Sequence, residues 1–196
     1  MKLLLGTTNL EKINILKSAL QSLSLEILTL NELGINVTVE ENGVNSEENA
    51  RIKAIRYYEE SDIPTLTTDA SLYIKGFPPD KQPNSCIRRI LSNKSTISDV
   101  ELLEYYSKEI KKIGNQTTCL WKVSLVLLLN FDNIFSKSYS FETILTSKKS
   151  RILNPGAPLN SLMMDIKSHK YYSEISPNER PDYKIIQNFV RSHLLS

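Results

Sequence analysis

Residues 39–53 read VEENGVNSEENARIK and combine the end of a strand pattern, a turn and the start of a helix. Val37 and Val39 alternate with polar neighbours, as apolar residues do in a half-buried strand. Asn42 and Gly43 follow, and both residue types tolerate positive φ angles. The pattern therefore predicts a short strand that ends at this turn.

A helix is predicted to begin directly after the turn. Asn45 is followed three positions later by Glu48, which is the spacing of an N-cap with a returning carboxylate. The helix is predicted to cover residues 47–60. Asn49 and Lys53 lie one turn apart on one face of it, so an amide and an ammonium group can point at the same ligand. The alternative interpretation is a capped helix whose charged side chains are only solvated, and this stretch alone leaves both open.

The composition indicates a globular protein. The chain has 196 residues, of which 40% are hydrophobic and 23% charged, enough to bury a core as a single domain over residues 1–196. The net charge of +2 is too small to indicate a nucleic-acid surface, so we expect no nucleic acid partner.

The apolar residues 3–5 are too few for a membrane span or a signal sequence. The two cysteines lack zinc-like spacing, and we expect reduced thiols in a cytoplasmic protein.

The first residues of the chain predict a strand followed by a helix. Residues 2–6 form a short apolar run, and apolar residues then recur at helical spacing. Thr7, Asn9 and Lys12 lie between the two elements and surround the first backbone N–H groups of the helix. Such a helix start suits an anion, because unsatisfied donors and the positive end of the helix dipole converge there. The same residues can instead serve only as a helix cap.

Further strands are predicted over residues 26–30 and 65–69, and the second of these ends on Asp69. A lone Asp at a strand end is usually a turn former. Open α/β sheets, however, also place their reacting groups at strand ends. The second half of the chain predicts a helix over residues 98–112 and long strands over residues 117–129 and 134–145.

The order and spacing of these motifs resemble the Ham1/ITPase family, the pyrophosphatases of noncanonical purine nucleoside triphosphates. That family opens with a strand followed by T-x-N-x-x-K, which Thr7, Asn9 and Lys12 match. It continues with E-E-x-G and E-N-A-x-x-K-A, which residues 40–43 and 48–54 match. The resemblance covers about the first 75 residues of the chain.

The later family motifs are only partly present. Where the family has an acidic pair followed by S-G-L, residues 68–72 read TDASL, so Thr68 replaces the first acid. The P-G-x-Y-S-A-R loop is matched loosely by residues 83–89, PNSCIRR. The base-recognising F-G-Y-D-P-x-F segment falls at residues 154–164, NPGAPLNSLMM, which lack its aromatic ring and its Asp. Residues 184–186 read KII where the family has the Ser-His-Arg that contacts the base.

The resemblance implies a fold and a reaction. The fold would be an elongated α/β domain with a mixed sheet, helices on both sides and two lobes around a central cleft, assembled as a homodimer. The reaction would be Mg²⁺-dependent hydrolysis of a nucleoside triphosphate to the monophosphate and pyrophosphate. In such chemistry one or two carboxylates hold the ion, lysines neutralise the remaining phosphate charge and a carboxylate activates water.

The resemblance also assigns roles to individual residues. Glu41 and Asp69 would bind the metal. Asp69, as the base that orients water, and Lys53 would be the catalytic pair. Arg180 stands in the place of the family's nucleotide-contacting lysine. The predicted substrate-binding residues are Thr7, Asn9, Lys12, Asn49, Lys53 and Arg180.

Two functional hypotheses follow. The first is a pyrophosphatase with altered base preference, because a pocket that loses the donors for the purine keto group loses that discrimination. Retained Glu41, Lys53 and Asp69 favour it. The second is a relative that binds a nucleotide without hydrolysing it and acts as a sensor or partner protein. The exchange of an acid for Thr68 favours this second hypothesis.

Overall fold

The structure is a computed structural model that describes residues 1–88 and 97–194 of the chain. This part of the chain forms six strands: β1 (Lys2–Leu5), β2 (Glu26–Thr29), β3 (Thr65–Ile74), β4 (Gln116–Asn130), β5 (Asn133–Thr146) and β6 (Met163–Met164). It also forms four α-helices: α1 (Leu10–Leu20), α2 (Ser46–Ser61), α3 (Asp99–Lys112) and α4 (Tyr183–Leu194). Within the described ranges, no helix has both the length and the apolar composition that crossing a bilayer requires.

The strands form one mixed sheet in the order β2-β1-β3-β4-β5-β6. β1 runs parallel to both β2 and β3, whereas β5 runs antiparallel to β6. Only Phe131 and Asp132 join β4 to β5, and so short a connection can link only antiparallel strands. The predicted α/β class, a mixed sheet with flanking helices, is therefore confirmed.

The chain divides into two compact units. The first unit comprises the described residues of Met1–Ala70, Val123–Tyr139 and Pro177–Ser196. The second unit comprises the described residues of Ser71–Lys122 and Ser140–Ser176. Each unit contains its own apolar cluster.

The core of the first unit is built around α1 and α4. Leu16 and Leu20 of α1 belong to the same buried cluster as Ile186, Phe189 and Val190 of α4. The three α4 residues have the i, i+3, i+4 spacing of an amphipathic helix. The sequence analysis made no prediction for this helix, although the spacing that indicates it is present.

The core of the second unit lies against α3. A capping box begins this helix, because Ser98 Oγ accepts a hydrogen bond from Glu101 N and the Glu101 carboxylate accepts one from Ser98 N. Tyr106 of α3 is fully buried in one cluster with Leu72 and Leu145. The predicted bounds of α3, β4 and β5 agree with the structure to within one residue at each end.

The predicted strand around Val37 and Val39 is wrong. Residues 36–43, all of them described, form no strand, although the predicted alternation of exposure is present. Both valines are half-buried against a cluster that includes Leu4 and Tyr57. A strand also needs a backbone partner, and the alternation of side chains reports only that one face is buried.

β3 is longer than predicted. It was expected to end on Asp69, but it continues to Ile74. Leu72 exchanges two backbone hydrogen bonds with Asn84, of 2.9 and 3.1 Å, and its side chain is fully buried. Asp69 therefore lies inside a strand rather than at its end.

Candidate active site

The turn between β1 and α1 brings the first predicted motif beside β3. Leu5 lies opposite Leu66, and Gly6 N donates a hydrogen bond of 2.9 Å to Leu66 O. A Cβ atom on Gly6 would lie 2.5 Å from Thr67 Cγ2 and 2.8 Å from Tyr57 Cδ2, so only glycine fits this close approach. The turn that leads into α1 therefore runs beside the first residues of β3.

Thr7 and Asn9 cap α1. Asn9 Oδ1 accepts a hydrogen bond of 3.0 Å from Lys12 N, and Thr7 Oγ1 accepts one of 3.2 Å from Asn9 N. The capping interpretation of this motif is thus confirmed. Capping does not exclude an anion, because the positive end of the helix dipole persists and the Thr7 hydroxyl can still donate.

Two lysines from different helices meet at one backbone carbonyl. The Nζ atoms of Lys12 and Lys53 lie 3.3 and 3.2 Å from Thr68 O. Burial, and then the positive charge of Lys53, lower the pKa of Lys12 to about 8, and the charges of Asp69 and Glu41 oppose this shift. A bound polyanion would relieve the repulsion between the two ammonium groups, so the arrangement suits phosphate.

Lys53 also contacts both carboxylates that were predicted to bind a metal. Its Nζ atom donates to Asp69 Oδ1 at 2.9 Å and to Glu41 Oε1 at 3.2 Å. Glu41 Oε1 and Asp69 Oδ1 therefore lie close together, since both contact the same ammonium group. Lys53 and Asp69 are only 7% and 6% exposed. The structure thus brings together three residues that were predicted from separate motifs.

The exposure pattern of residues 36–43 explains why Glu41 reaches this site. Glu41 is half-buried two positions after Val39, whereas Glu40 is exposed. The alternation of the sequence therefore sends Glu41 inward with the valines, even though no strand forms.

Asp69 has one oxygen without a hydrogen-bond partner. Its Oδ2 atom is buried and accepts no hydrogen bond. Thr67 and Asp69 both face α2, where Thr67 Oγ1 donates to Ala50 O at 2.6 Å, so alternation along β3 turns the Thr68 side chain to the opposite side. A buried carboxylate oxygen is unfavourable without a partner, and we interpret Oδ2 as the position for a proton donor or a cation.

Asn49 holds the loop before α2 against the helix. It is 2% exposed, and its Oδ1 atom accepts a hydrogen bond of 2.8 Å from Gly43 N. A Cβ atom on Gly43 would lie 2.7 Å from Glu48 Cβ, so glycine is required here too. Asn45 caps α2 as predicted, since its Oδ1 atom accepts from Glu48 N at 3.0 Å. The amide NH₂ group of Asn49 is the part that a ligand could use.

Arg180 pairs with a carboxylate in the first turn of α1. Its Nη2 atom lies 2.5 Å from Glu11 Oε1, and the two side chains are 5% and 9% exposed. Burial raises the pKa of the nearby Asp182, while the charge of Arg180 opposes that shift. Arg180 thus links the segment before α4 to the helix start that carries Lys12.

Glu41 and Asp69 are the candidate ligands for a metal ion. Residues 1–88 and 97–194 contain no group of three or more His, Cys, Asp or Glu side chains arranged to hold one. Two carboxylates nevertheless fit a hard divalent cation, because water and phosphate oxygens can complete the coordination shell of such an ion. Asp69 Oδ2 offers a buried acceptor for such an ion.

A profile of the Ham1 family matches residues 3–148, more than half of the chain. The chain belongs to the Ham1 family. It is similar to the dITP/XTP pyrophosphatase of Clostridium perfringens strain 13, with 40% identity over 86 residues that cover 39% of this chain and 42% of that protein. The dITP/XTP pyrophosphatase of Thermoanaerobacter sp. strain X514 is 30% identical over 117 residues, covering 57% of this chain and 58% of that protein. The chain thus spans less than two thirds of the length of these curated relatives.

Solved Ham1 structures share the fold over the whole chain. A HAM1 protein from Coxiella burnetii has a TM-score of 0.75 at 16% identity and covers 100% of this chain and 98% of its own. The Ham1 protein of Staphylococcus aureus has a TM-score of 0.70 at 16% identity, covering 98% of this chain and 99% of its own. At such identities the likeness establishes the fold alone.

The segments predicted to correspond to the family's base-recognition motifs contribute to the apolar cores of this Ham1 chain. Residues 154–164 contain a 3₁₀ turn, Pro158–Ser161, and the strand β6. Leu159 and Met163 belong to the core of the second unit. Ile186, in the segment that replaces Ser-His-Arg, is 2% exposed in the core of the first unit. Apolar side chains of both segments are therefore packed in the cores of their units.

The loop at residues 83–89 was predicted to correspond only loosely to another family motif. Arg88 Nη2 donates to Asp99 Oδ1 at 2.6 Å and to Gly156 O at 3.0 Å, so it joins this loop to α3 and to residues 154–164. Arg89 lies outside the described residues. The described arginine of this loop is thus engaged within the second unit.

Sequence reasoning missed two parts of the site. The carbonyl oxygen of Thr68 is a backbone atom, and the residue type at a position does not indicate the role of its backbone. The Glu11–Arg180 pair joins positions 169 residues apart, so no local pattern could indicate it. A buried pair of opposite charges over such a distance becomes visible only in the fold.

Proposed function

We propose that this Ham1 family member hydrolyses nucleoside triphosphates to the monophosphate and pyrophosphate, with Mg²⁺ as cofactor. The observation that carries the proposal is a cluster centred on Lys53: its ammonium group contacts Glu41 and Asp69, and it shares the Thr68 carbonyl with Lys12. The dITP/XTP pyrophosphatases among its relatives support the same reaction. Family membership gives further support.

The phosphates would bind at the start of α1 and at the two lysines. The ammonium groups of Lys12 and Lys53 would neutralise phosphate oxygens, and Thr7 and Asn9 would donate hydrogen bonds from the helix cap. Asn49 would add its amide NH₂ group. This arrangement holds positive charge in place before the substrate arrives, which favours the charge that develops during phosphoryl transfer.

Asp69 would act as the general base. Its carboxylate would orient a water molecule and accept the proton as the water oxygen bonds to the α-phosphorus. The bond between that phosphorus and the bridging oxygen breaks, and pyrophosphate leaves. A magnesium ion held by Glu41 and Asp69 would supply Lewis-acid stabilisation of the phosphate charge.

The proposed substrates are purine nucleotides such as ITP, XTP and dITP, bound with relaxed base selection. Discrimination of a keto group needs hydrogen-bond donors, and residues 154–164 and 184–186 lack the family's base-contacting side chains. We also propose that the protein works as a cytoplasmic homodimer, which mass photometry of the purified protein would test.

A pyrophosphate-release assay tests the reaction. It uses ITP, XTP, dITP and the four common nucleoside triphosphates in the presence of Mg²⁺. Asp69→Asn should lower the rate by about 100-fold or more, because it removes the proton acceptor. Asp132→Asn, at the exposed turn between β4 and β5, makes the same chemical change away from the site and should retain the wild-type rate.

The second candidate is a nucleotide-binding relative without hydrolysis, acting as a sensor or partner protein. The neutral Thr68 favours it, because the family has an acid at this position. Tight nucleotide binding combined with no pyrophosphate release from any substrate would select this candidate. Release that Asp69→Asn leaves unchanged would contradict the proposed mechanism.

A further inference from the structure

A buried ion pair lies at the same helix start as the proposed phosphate site. Glu11 precedes Lys12 in the first turn of α1, and its carboxylate contacts the Arg180 guanidinium. Both side chains are nine-tenths buried or more, whereas Lys12 is half-buried. Asp182 adds a second carboxylate close to Arg180.

We propose that Arg180 is a positioning residue: it cancels the charge of Glu11 at the helix start that would bind the phosphates, and it does not itself contact the phosphate. The inference rests on the proposed function, because it concerns the same site. It differs from the role that the sequence resemblance assigns, which is direct contact with the nucleotide.

Burial and pairing support this role. If Arg180 moved onto a phosphate, Glu11 would remain buried without its cation, and a buried unpaired charge is strongly destabilising. Arg180 would also move away from Asp182, whose pKa is raised by burial and lowered by the positive charge of Arg180. The Nη2 atom of Arg180 is therefore engaged with a carboxylate of the first unit.

Cancelling Glu11 matters for phosphate binding. An uncompensated carboxylate in the first turn of α1 would oppose a polyanion at the same helix start. Lys12 lies next to Glu11 in sequence, so the negative charge would act at short range. With Arg180 in place, the Glu11–Arg180 pair carries no net charge. The positive N-terminus of α1 and the ammonium group of Lys12 can then attract a phosphate group.

The test measures inorganic tripolyphosphate binding by titration calorimetry at pH 7 in EDTA, with three variants. Arg180→Met should weaken binding about tenfold, because it exposes the site to the charge of Glu11. The double variant Glu11→Met with Arg180→Met should restore binding to within about threefold of wild type, because it removes both charges together. Arg56→Met removes an exposed arginine of α2 that also pairs with carboxylates, and it should bind as wild type does.

The double variant decides the question. If it binds as weakly as Arg180→Met, Arg180 contacts the phosphate and the inference is overturned. If Arg180→Met does not fold, the comparison of the double variant with wild type still decides. If instead the double variant does not fold, a second double variant, Glu11→Gln with Arg180→Gln, makes the same comparison with polar side chains of similar size, and binding as weak as that of Arg180→Gln alone overturns the inference. Absence of tripolyphosphate binding by the wild-type protein would instead overturn the proposed phosphate site itself.

Discussion

The two compact units bury different kinds of polar side chain. The buried charged residues of the first unit are Glu11, Lys53, Asp69 and Arg180. Among the described residues of the second unit, the buried polar side chains are uncharged: Ser71, Thr143, Thr146, Asn160, Ser161 and Ser173. Burying a charge costs more than burying a hydroxyl, so a fold retains buried charges where they are paired or used. The contrast locates the candidate chemistry in the first unit.

Most of the family motifs follow the same division. The T-x-N-x-x-K, E-E-x-G and E-N-A-x-x-K-A motifs lie wholly in the first unit and keep their charged residues. The loop at residues 83–89 and the segment at residues 154–164 lie in the second unit and have lost most of their motif residues. Two exceptions lie in the first unit: Thr68 replaces an acid, and residues 184–186 replace Ser-His-Arg.

The largest expected effect belongs to Lys53→Met, which removes a buried charge of the first unit. It would leave the buried Asp69 and the half-buried Glu41 without their shared cation, and breaking a buried pair in this way costs about 3–5 kcal/mol of unfolding free energy. For a chain of this size the melting temperature should fall by roughly 10 °C, and pyrophosphate release should be lost. Thermal unfolding by circular dichroism measures the shift.

Lys17→Met is the matched control for that variant. Lys17 is 43% exposed and lies 3.5 Å from Glu32, so its ion pair is at the surface. We expect no measurable change in melting temperature or activity. Equal shifts for the two variants would show that the buried network of the first unit is no more important than a surface pair.

The second prediction concerns pH and Lys12. Its pKa in the folded protein is about 8, below the ordinary value of 10.5. Because a polyphosphate binds the charged form, nucleotide affinity measured in EDTA should fall as pH rises above 8, by about tenfold per pH unit at most. Between about pH 8 and pH 10.5, Lys12 is more protonated in the unfolded chain than in the folded protein. The contribution of Lys12 to the stability of the ligand-free protein therefore rises with pH over this interval.

Lys12→Arg provides the control for this pH dependence. Arginine stays protonated throughout the range, so the fall in affinity above pH 8 should disappear. Parallel pH profiles of the two proteins would assign the titration to another group and would remove Lys12 from the phosphate site.

The third prediction tests the exchanged acid. Thr68→Asp should raise the affinity for Mg²⁺ through its added negative charge. The gain should be only about threefold, because alternation along β3 turns this side chain away from Asp69. It should also lower stability by about 1–3 kcal/mol, since the position is 8% exposed. Thr68→Asn separates charge from size. A gain in turnover of several orders of magnitude with Thr68→Asp alone would mean that the first unit lacks an essential catalytic acid.

The sequence predicted those parts of the site that depend on local patterns. Asn9 and Asn45 cap their helices because capping involves residues three positions apart. Glu41 points inward because exposure alternates along its segment. The strand predicted at Val37 and Val39 did not form, since a strand also requires a partner and local alternation cannot supply one.

Features that depend on distant contacts escaped the sequence analysis. β3 extends past Asp69 as a strand of the sheet beside β4, which is distant in the sequence, and Leu72 also pairs with Asn84. The Glu11–Arg180 pair and the two lysines at the Thr68 carbonyl exist only because the fold brings separate elements together. The apolar spacing of α4, by contrast, was available in the sequence and shows that this part could have been predicted.

The smallest expected effect belongs to the second unit. Arg88 is 40% exposed and closes a ring of hydrogen bonds, because its guanidinium donates to Asp99 and Gly156 O while Gly156 N donates to Asp99 Oδ2 at 2.9 Å. Arg88→Met should therefore cost no more than about 1 kcal/mol, as expected for a partly exposed pair. Nucleotide affinity in EDTA should stay at the wild-type value, because the arginine is engaged within its own unit. A large loss of affinity without a change in melting temperature would mean that Arg88 binds the nucleotide, and the functional contrast between the two units would then fail.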